Sequence, residues 1–102
     1  SQQLKAQVSA ARERQLARQG CLNSDLRANA VLDYSQLSDG DHEFLIAAIE
    51  KLKLSHRAYH RTLRLARSIA DLENEERVQK SHLAEAMGYR ALDQLIDQVR
   101  SL

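Results

Sequence analysis

Arg57, Arg61, Arg64 and Arg67 are the residues whose type and spacing speak first for chemistry. The first three recur at i, i+4 and i+7, so on a helix they share one side, and Arg67 adds to it. A guanidinium stays charged at any physiological pH and offers a planar fork of N–H donors that matches phosphate oxygens. The stripe therefore reads either as an anion site or as a solvated polar face, the common fate of charged helix residues. Arg57 is the sharpest candidate. It would stand in a first helical turn, where free backbone N–H groups and the positive end of the helix dipole also favour anions.

Other chemistries find little support. His42, His56, His60 and His82 make no tight ligand set, and neither C-x-x-C nor H-E-x-x-H occurs. His56 and His60, at i and i+4, could share a face, but a third ligand would have to come from elsewhere, so no metal is expected. Cys21, the single cysteine, lacks a nucleophile signature and reads as a half-buried loop thiol. Glu75 and Glu76 form a solvated turn pair, with no burial to make one of them an acid. Neither G-x-x-x-x-G-K-[ST] nor G-x-G-x-x-G is present, and Gly20, Gly40 and Gly88 are too scattered to build a phosphate loop. The chain on its own is not expected to be catalytic.

The elements that would position the arginines are helical. With 102 residues, the chain suits one domain that buries about two-thirds of its unfolded surface. Proline is absent, aromatics are few, and good helix formers dominate. The expected fold is an all-α bundle of four to five helices. A net charge of +1 gives no whole-chain argument for nucleic acid. One cysteine permits no internal disulfide, which fits the cytoplasm. No apolar run approaches the roughly 20 residues of a membrane span, and no signal peptide is expected.

A first helix is predicted over Gln2 to Gln19, closed by Gly20. It is polar enough to suggest a connector (residues 1–20) packing mostly on something outside the chain, ahead of the domain proper (21–102). A short helix capped by Asn23 or Ser24 is expected around Leu26, followed by a loop anchored by Leu32 and Tyr34. A helix from Asp41 to Leu52 presents Phe44, Leu45, Ala48, Ile49 and Leu52 on one face. Ser55 is the expected N-cap of the strongest helix, His56 to Glu73, with Tyr59, Leu63, Ala66 and Ala70 inward. A turn over Glu73–Arg77, a buried Val78, a helix from Lys80 to Met87, a bend at Gly88 and a last helix over Ala91–Arg100 complete the reading.

Leu54-Ser55-His56-Arg57-Ala58-Tyr59-His60-Arg61, continuing through Ala66-Arg67-Ser68-Ile69-Ala70-Asp71-Leu72, resembles the C-terminal domain of magnesium-chelatase-like AAA+ ATPases, in their competence-protein branch. His82-Leu83-Ala84-Glu85-Ala86 with Tyr89-Arg90 and Leu92-Asp93 is similar to the same family's closing motif. Arg14-Gln15, Arg18-Gln19-Gly20 and Leu22-Asn23 match the stretch that leads into the domain. The resemblance implies a helical lid on a nucleotide-binding core that lies elsewhere in the same chain. It implies that Arg57 is the sensor-2 arginine facing the phosphates of ATP. It implies ATP and Mg2+ as cofactors of the full-length protein, with none bound by these residues alone, and a homo-oligomeric ring acting on DNA. Arg61, Arg64 and Arg67 inherit no role from the motif and are candidates for a DNA or subunit interface. Three other readings stand beside this one: a magnesium chelatase subunit's lid, a helical nucleic-acid-binding module on the arginine stripe, and a protein-interaction domain.

Overall fold

The computed structural model describes residues 2–88 and Val99. Four α-helices come first in the chain: α1 (Gln2–Gln19), α2 (Ala28–Ser35), α3 (Asp39–Lys51) and α4 (His56–Leu72). A 3-10 turn, Asn23–Asp25, sits between α1 and α2. A further helical run, α5, occupies residues 80–88, and the described residues contain no strand. The all-α expectation is met. The predicted helix over Ala91–Arg100 lies outside the described residues, Val99 apart. Gly88 is helical, so the path does not break before it.

α4 is the central element, and α1, the 3-10 turn, α2 and α3 all pack on it. Its apolar side explains why. Tyr59, Leu63, Ala66, Ile69 and Ala70 are buried together with Val31 of α2, Leu45 of α3, and Val78, Leu83, Ala86 and Met87. Leu65 and Leu72 of the same helix stand 39% and 42% exposed. Ser55 caps α4 as its type suggests, its Oγ accepting from the Ala58 N–H at 3.2 Å.

The segment after the 3-10 turn departs from expectation. Leu32 and Tyr34 lie in the helix α2 and not in a loop. The eight residues of α2 are too few to show the period clearly, and its helicity comes from packing Val31 into the core. α3 begins at Asp39, two residues before its predicted start, because Ser38 is its cap and accepts from the Asp41 N–H. Gly40 falls inside the first turn.

Glycine closes α1, where Gly20 has φ +79°. α3 and α4 end without it. Lys53 (φ 54°) and Asn74 (φ 60°) take the left-handed position, and the following N–H groups reach back, Leu54 to the Ile49 carbonyl and Glu75 to the Ala70 carbonyl. Each closes the paired-bond helix stop that usually recruits glycine. The turn over 73–77 then delivers Val78, whose N–H donates to the Ser35 carbonyl at 2.9 Å. His82 fastens the start of α5: its Nδ1 accepts from the Gln79 N–H at 2.9 Å while its Nε2 faces Glu73 at 2.6 Å.

Candidate functional site

Arg57 is the second residue of α4, exposed, and without a hydrogen bond or ion pair among the described residues. Arg61, one turn on, is equally exposed and unpaired among those residues. Arg64 is half-buried. Its Nε donates to the Asn23 carbonyl at 3.1 Å and its Nη2 to the Leu26 carbonyl at 2.9 Å. The 3-10 turn thus holds Arg64 still without cancelling its charge. These three arginines, His60 and Ala28 line a depression of about 440 Å³ that no carboxylate of the described residues enters. Positive charge gathered on a concave surface strengthens the local potential and attracts anions.

Arg67 does not belong to this face. It is fully buried, and its guanidinium donates to the carbonyls of Tyr34, Glu75 and Glu76 at 2.8–3.0 Å and to the Asp71 carboxylate at 3.0 Å. The assignment of Arg67 to a DNA or subunit interface is therefore corrected. The side chain stitches α2, α4 and the 73–77 turn together and has no route to a partner. Burial lowers its pKa while Asp71 raises it, and the always-charged guanidinium is retained because every side of it but Nε is bonded.

Asp71 is the one acidic residue of α4. It is the hub of a buried polar network. Its carboxylate accepts from Arg18 at 2.7 and 3.2 Å, from Asn23 at 2.9 Å and from Arg67 at 3.0 Å. Its backbone carbonyl accepts from Arg14 at 2.6 Å. Arg14 and Arg18, four apart on α1, are what dock that helix. Residues 2–7 are exposed, but Ala11 and Gln15 are buried against the domain, and the Gln15 side chain accepts from the Asn23 N–H at 2.8 Å. The second half of α1 is thus part of the packed body and more than a connector.

On the far side of His60 lies a second, more apolar groove of about 920 Å³ between α2, α3 and the start of α4, lined by Leu32, Ile46, Ile49 and Tyr59 among others. Three histidines gather around it. His42 Nε2 meets the Tyr59 hydroxyl at 3.1 Å, and His56 and His60 bring their Nε2 atoms to 3.0 Å. No group of three His, Cys, Asp or Glu suited to a metal occurs among the described residues. Cys21 is a free thiol of intermediate exposure, as the sequence suggested. No helix among the described residues is long and apolar enough to cross a membrane.

The helices packed round α4, together with an exposed arginine in its first turn, define a small all-α domain with a cationic edge, of the kind the central motif resembles. The sequence places it. Residues 1–90 match the family described as magnesium chelatase, subunit ChlI C-terminal, and the chain belongs to that family. Over its whole length it is 41% identical to the competence protein ComM of Haemophilus influenzae, covering 20% of that protein. It is 38% identical to the uncharacterized protein YifB of Escherichia coli over 97% of the chain and 20% of the relative. The Salmonella typhimurium YifB gives 39% over the same shares. The domain is accordingly of the ComM/YifB type, and the chain spans about one fifth of the length of the curated relatives it matches.

Proposed function

We propose that this domain is the C-terminal helical lid of a longer AAA+ ATPase, and that Arg57 is its sensor-2 arginine, reaching a phosphate of ATP held by a core elsewhere in that protein. The placement of Arg57 carries the reading. It stands free and exposed one residue inside α4, at the edge of a depression shared with Arg61 and Arg64. These residues suit a polyphosphate and do not suit Mg2+, because no carboxylate among the described residues lines the site. A phosphate loop and the metal ligands then belong to the core, and this chain's part is to supply a guanidinium. With ATP bound, Arg57 gains a charge-assisted hydrogen bond. When the phosphate leaves, that contact weakens and the lid swings. Nucleotide biases the swing only through its unequal interaction with the two lid positions.

On this reading the whole protein forms a ring in the cytoplasm, and neighbouring subunits sense the lid angle. The competence protein among the relatives supports assigning the cycle to remodelling DNA during recombination. Arg61, exposed beside Arg57, is the residue best placed to meet a neighbouring subunit or DNA. The family description favours one second reading, the lid of a magnesium chelatase subunit. Stimulation of the full-length ATPase by branched DNA supports the first, and stimulation by a porphyrin with Mg2+ the second.

The test is steady-state ATP hydrolysis by the full-length protein carrying Arg57→Ala. An arginine at developing phosphate charge is worth about a thousandfold in rate, and a loss on that order is expected with the circular dichroism unchanged. Turnover at the wild-type rate overturns the assignment.

A further inference from the structure

The depression beside Arg57 has one wall that titrates. His60 lines it and also lines the neighbouring groove, so its ring separates the two spaces. At its contact with His56, one Nε2 carries a proton and the other accepts it. Its Nδ1 is shut away from solvent beside the Ala28 backbone and closes no hydrogen bond of good geometry. Burial, then His56, then Arg64 hold the His60 pKa below its ordinary value of 6.5, against a smaller upward pull from the Ala28 backbone. The charges around the ring are divided. Arg57, Arg61 and Arg64 of α4 lie on the depression side, while Asp33 of α2, with Glu50 and His42 of α3, lie on the groove side.

We propose that Arg57, Arg61, Arg64 and His60 form a phosphate-oxyanion site that takes up a proton at His60 as it fills. The proposal deepens the reading of Arg57 as a phosphate-facing residue and rests on it. Arg64, one of the three guanidiniums that attract the oxyanion, adds to the burial and the His56 contact that hold the His60 pKa down while the site is empty. An oxyanion placed beside the three guanidiniums offsets the Arg64 repulsion and adds a negative charge near the ring, so the imidazolium becomes less costly and the His60 pKa rises. Linkage makes the effect reciprocal: the anion favours the proton, and the proton strengthens the anion by the same factor. A second proton turns both ring nitrogens into donors and gives the depression a fourth positive charge. The site therefore tightens on phosphate as pH falls toward the His60 pKa. A nucleotide and a nucleic-acid backbone present the same oxyanion chemistry.

Sulfate is the probe, because its charge is fixed across the range in which histidine titrates, about pH 5 to 8. The 102-residue chain is titrated with sulfate at several pH values, at ionic strength matched with chloride, while NMR follows the arginine Nε–H groups and the His60 ring. The expected result is a specific shift at Arg57, Arg61 and Arg64. Saturation raises the His60 pKa by about half to one unit, and affinity strengthens about three- to tenfold from the high to the low end of the range. His60→Gln binds sulfate with no such dependence, and Arg61→Ala weakens binding at every pH. Binding to the wild-type chain that ignores pH overturns proton uptake and leaves the role of Arg57 standing. Sulfate that does no more than chloride overturns the site itself, whatever Arg57→Ala does to hydrolysis in the full-length protein. ATP and a short DNA duplex then compete for bound sulfate, and the stronger competitor names the source of the phosphate. Failure of both to displace it also overturns a phosphate site.

Discussion

Asp71→Ala removes the acceptor at the centre of the buried network, and its cost can be worked from the contacts. The carboxylate accepts two bonds from Arg18, one from Asn23 and one from Arg67. Arg18 can swing out to water, its side chain being 20% exposed. Arg67 is fully buried and cannot. Breaking a buried pair by deleting one partner typically costs about 3–5 kcal/mol. Arg67 keeps the carbonyls of Tyr34, Glu75 and Glu76, which places the cost at the lower end, about 3 kcal/mol. A domain of this size has roughly 5–15 kcal/mol in total, so the variant loses a fifth to more than half of its stability. Urea unfolding followed by circular dichroism measures the loss, and a thermal scan should fall by about 12 °C or more. The α1 amides should exchange faster than those of α3, because the Arg18 anchor is lost and only the Arg14 bond to the residue 71 carbonyl remains. A loss under about 1 kcal/mol with an unchanged denaturant slope refutes the view of Asp71 as the hub.

Other outcomes follow from the same contacts. Arg67→Lys offers one ammonium where a fork now meets three carbonyls and a carboxylate, and urea unfolding should show a loss of about 2 kcal/mol or more. Ser55→Ala removes the cap of α4 and should cost about 1 kcal/mol, with faster amide exchange at Ala58. His60 has a pKa lowered by folding, so the unfolded chain binds its proton more readily. Stability from this group is complete above pH 6.5 and is lost as pH falls through that value toward the folded pKa. His60→Gln should flatten that part of the unfolding profile.

The fold was legible where one helix's own pattern sufficed. The period of Tyr59, Leu63, Ala66 and Ala70, with Ser55 ahead of them, gave α4 its start and its inner face. Gly20 gave the end of α1. The closure at Lys53 was not legible, because left-handed backbone there is held by bonds to preceding carbonyls and not by residue type, whereas Asn74 is of a type that tolerates that backbone and was a usable signal. The arginine stripe was legible as a stripe and misread as uniform. A helix's periodicity says which residues share a side and says nothing of what covers that side. Along α4, α1 and the 73–77 turn cover the second half, so Arg67 and Asp71 are sealed while Arg57 and Arg61 stay bare. One signal was available: Arg67 and Asp71 are themselves i and i+4, as are Arg14 and Arg18. Two basic residues on a polar helix and one otherwise unmatched acid on the central helix suggest a docking pair.

The claim that Arg57 faces nucleotide is tested most directly by a structure of the full-length protein with a non-hydrolysable ATP analogue. The account predicts the Arg57 guanidinium about 2.7–2.9 Å from a phosphate oxygen, with the Asp71 network unchanged behind it. Arg57 pointing to solvent or to an acidic side chain, while nucleotide fills the core, would contradict it.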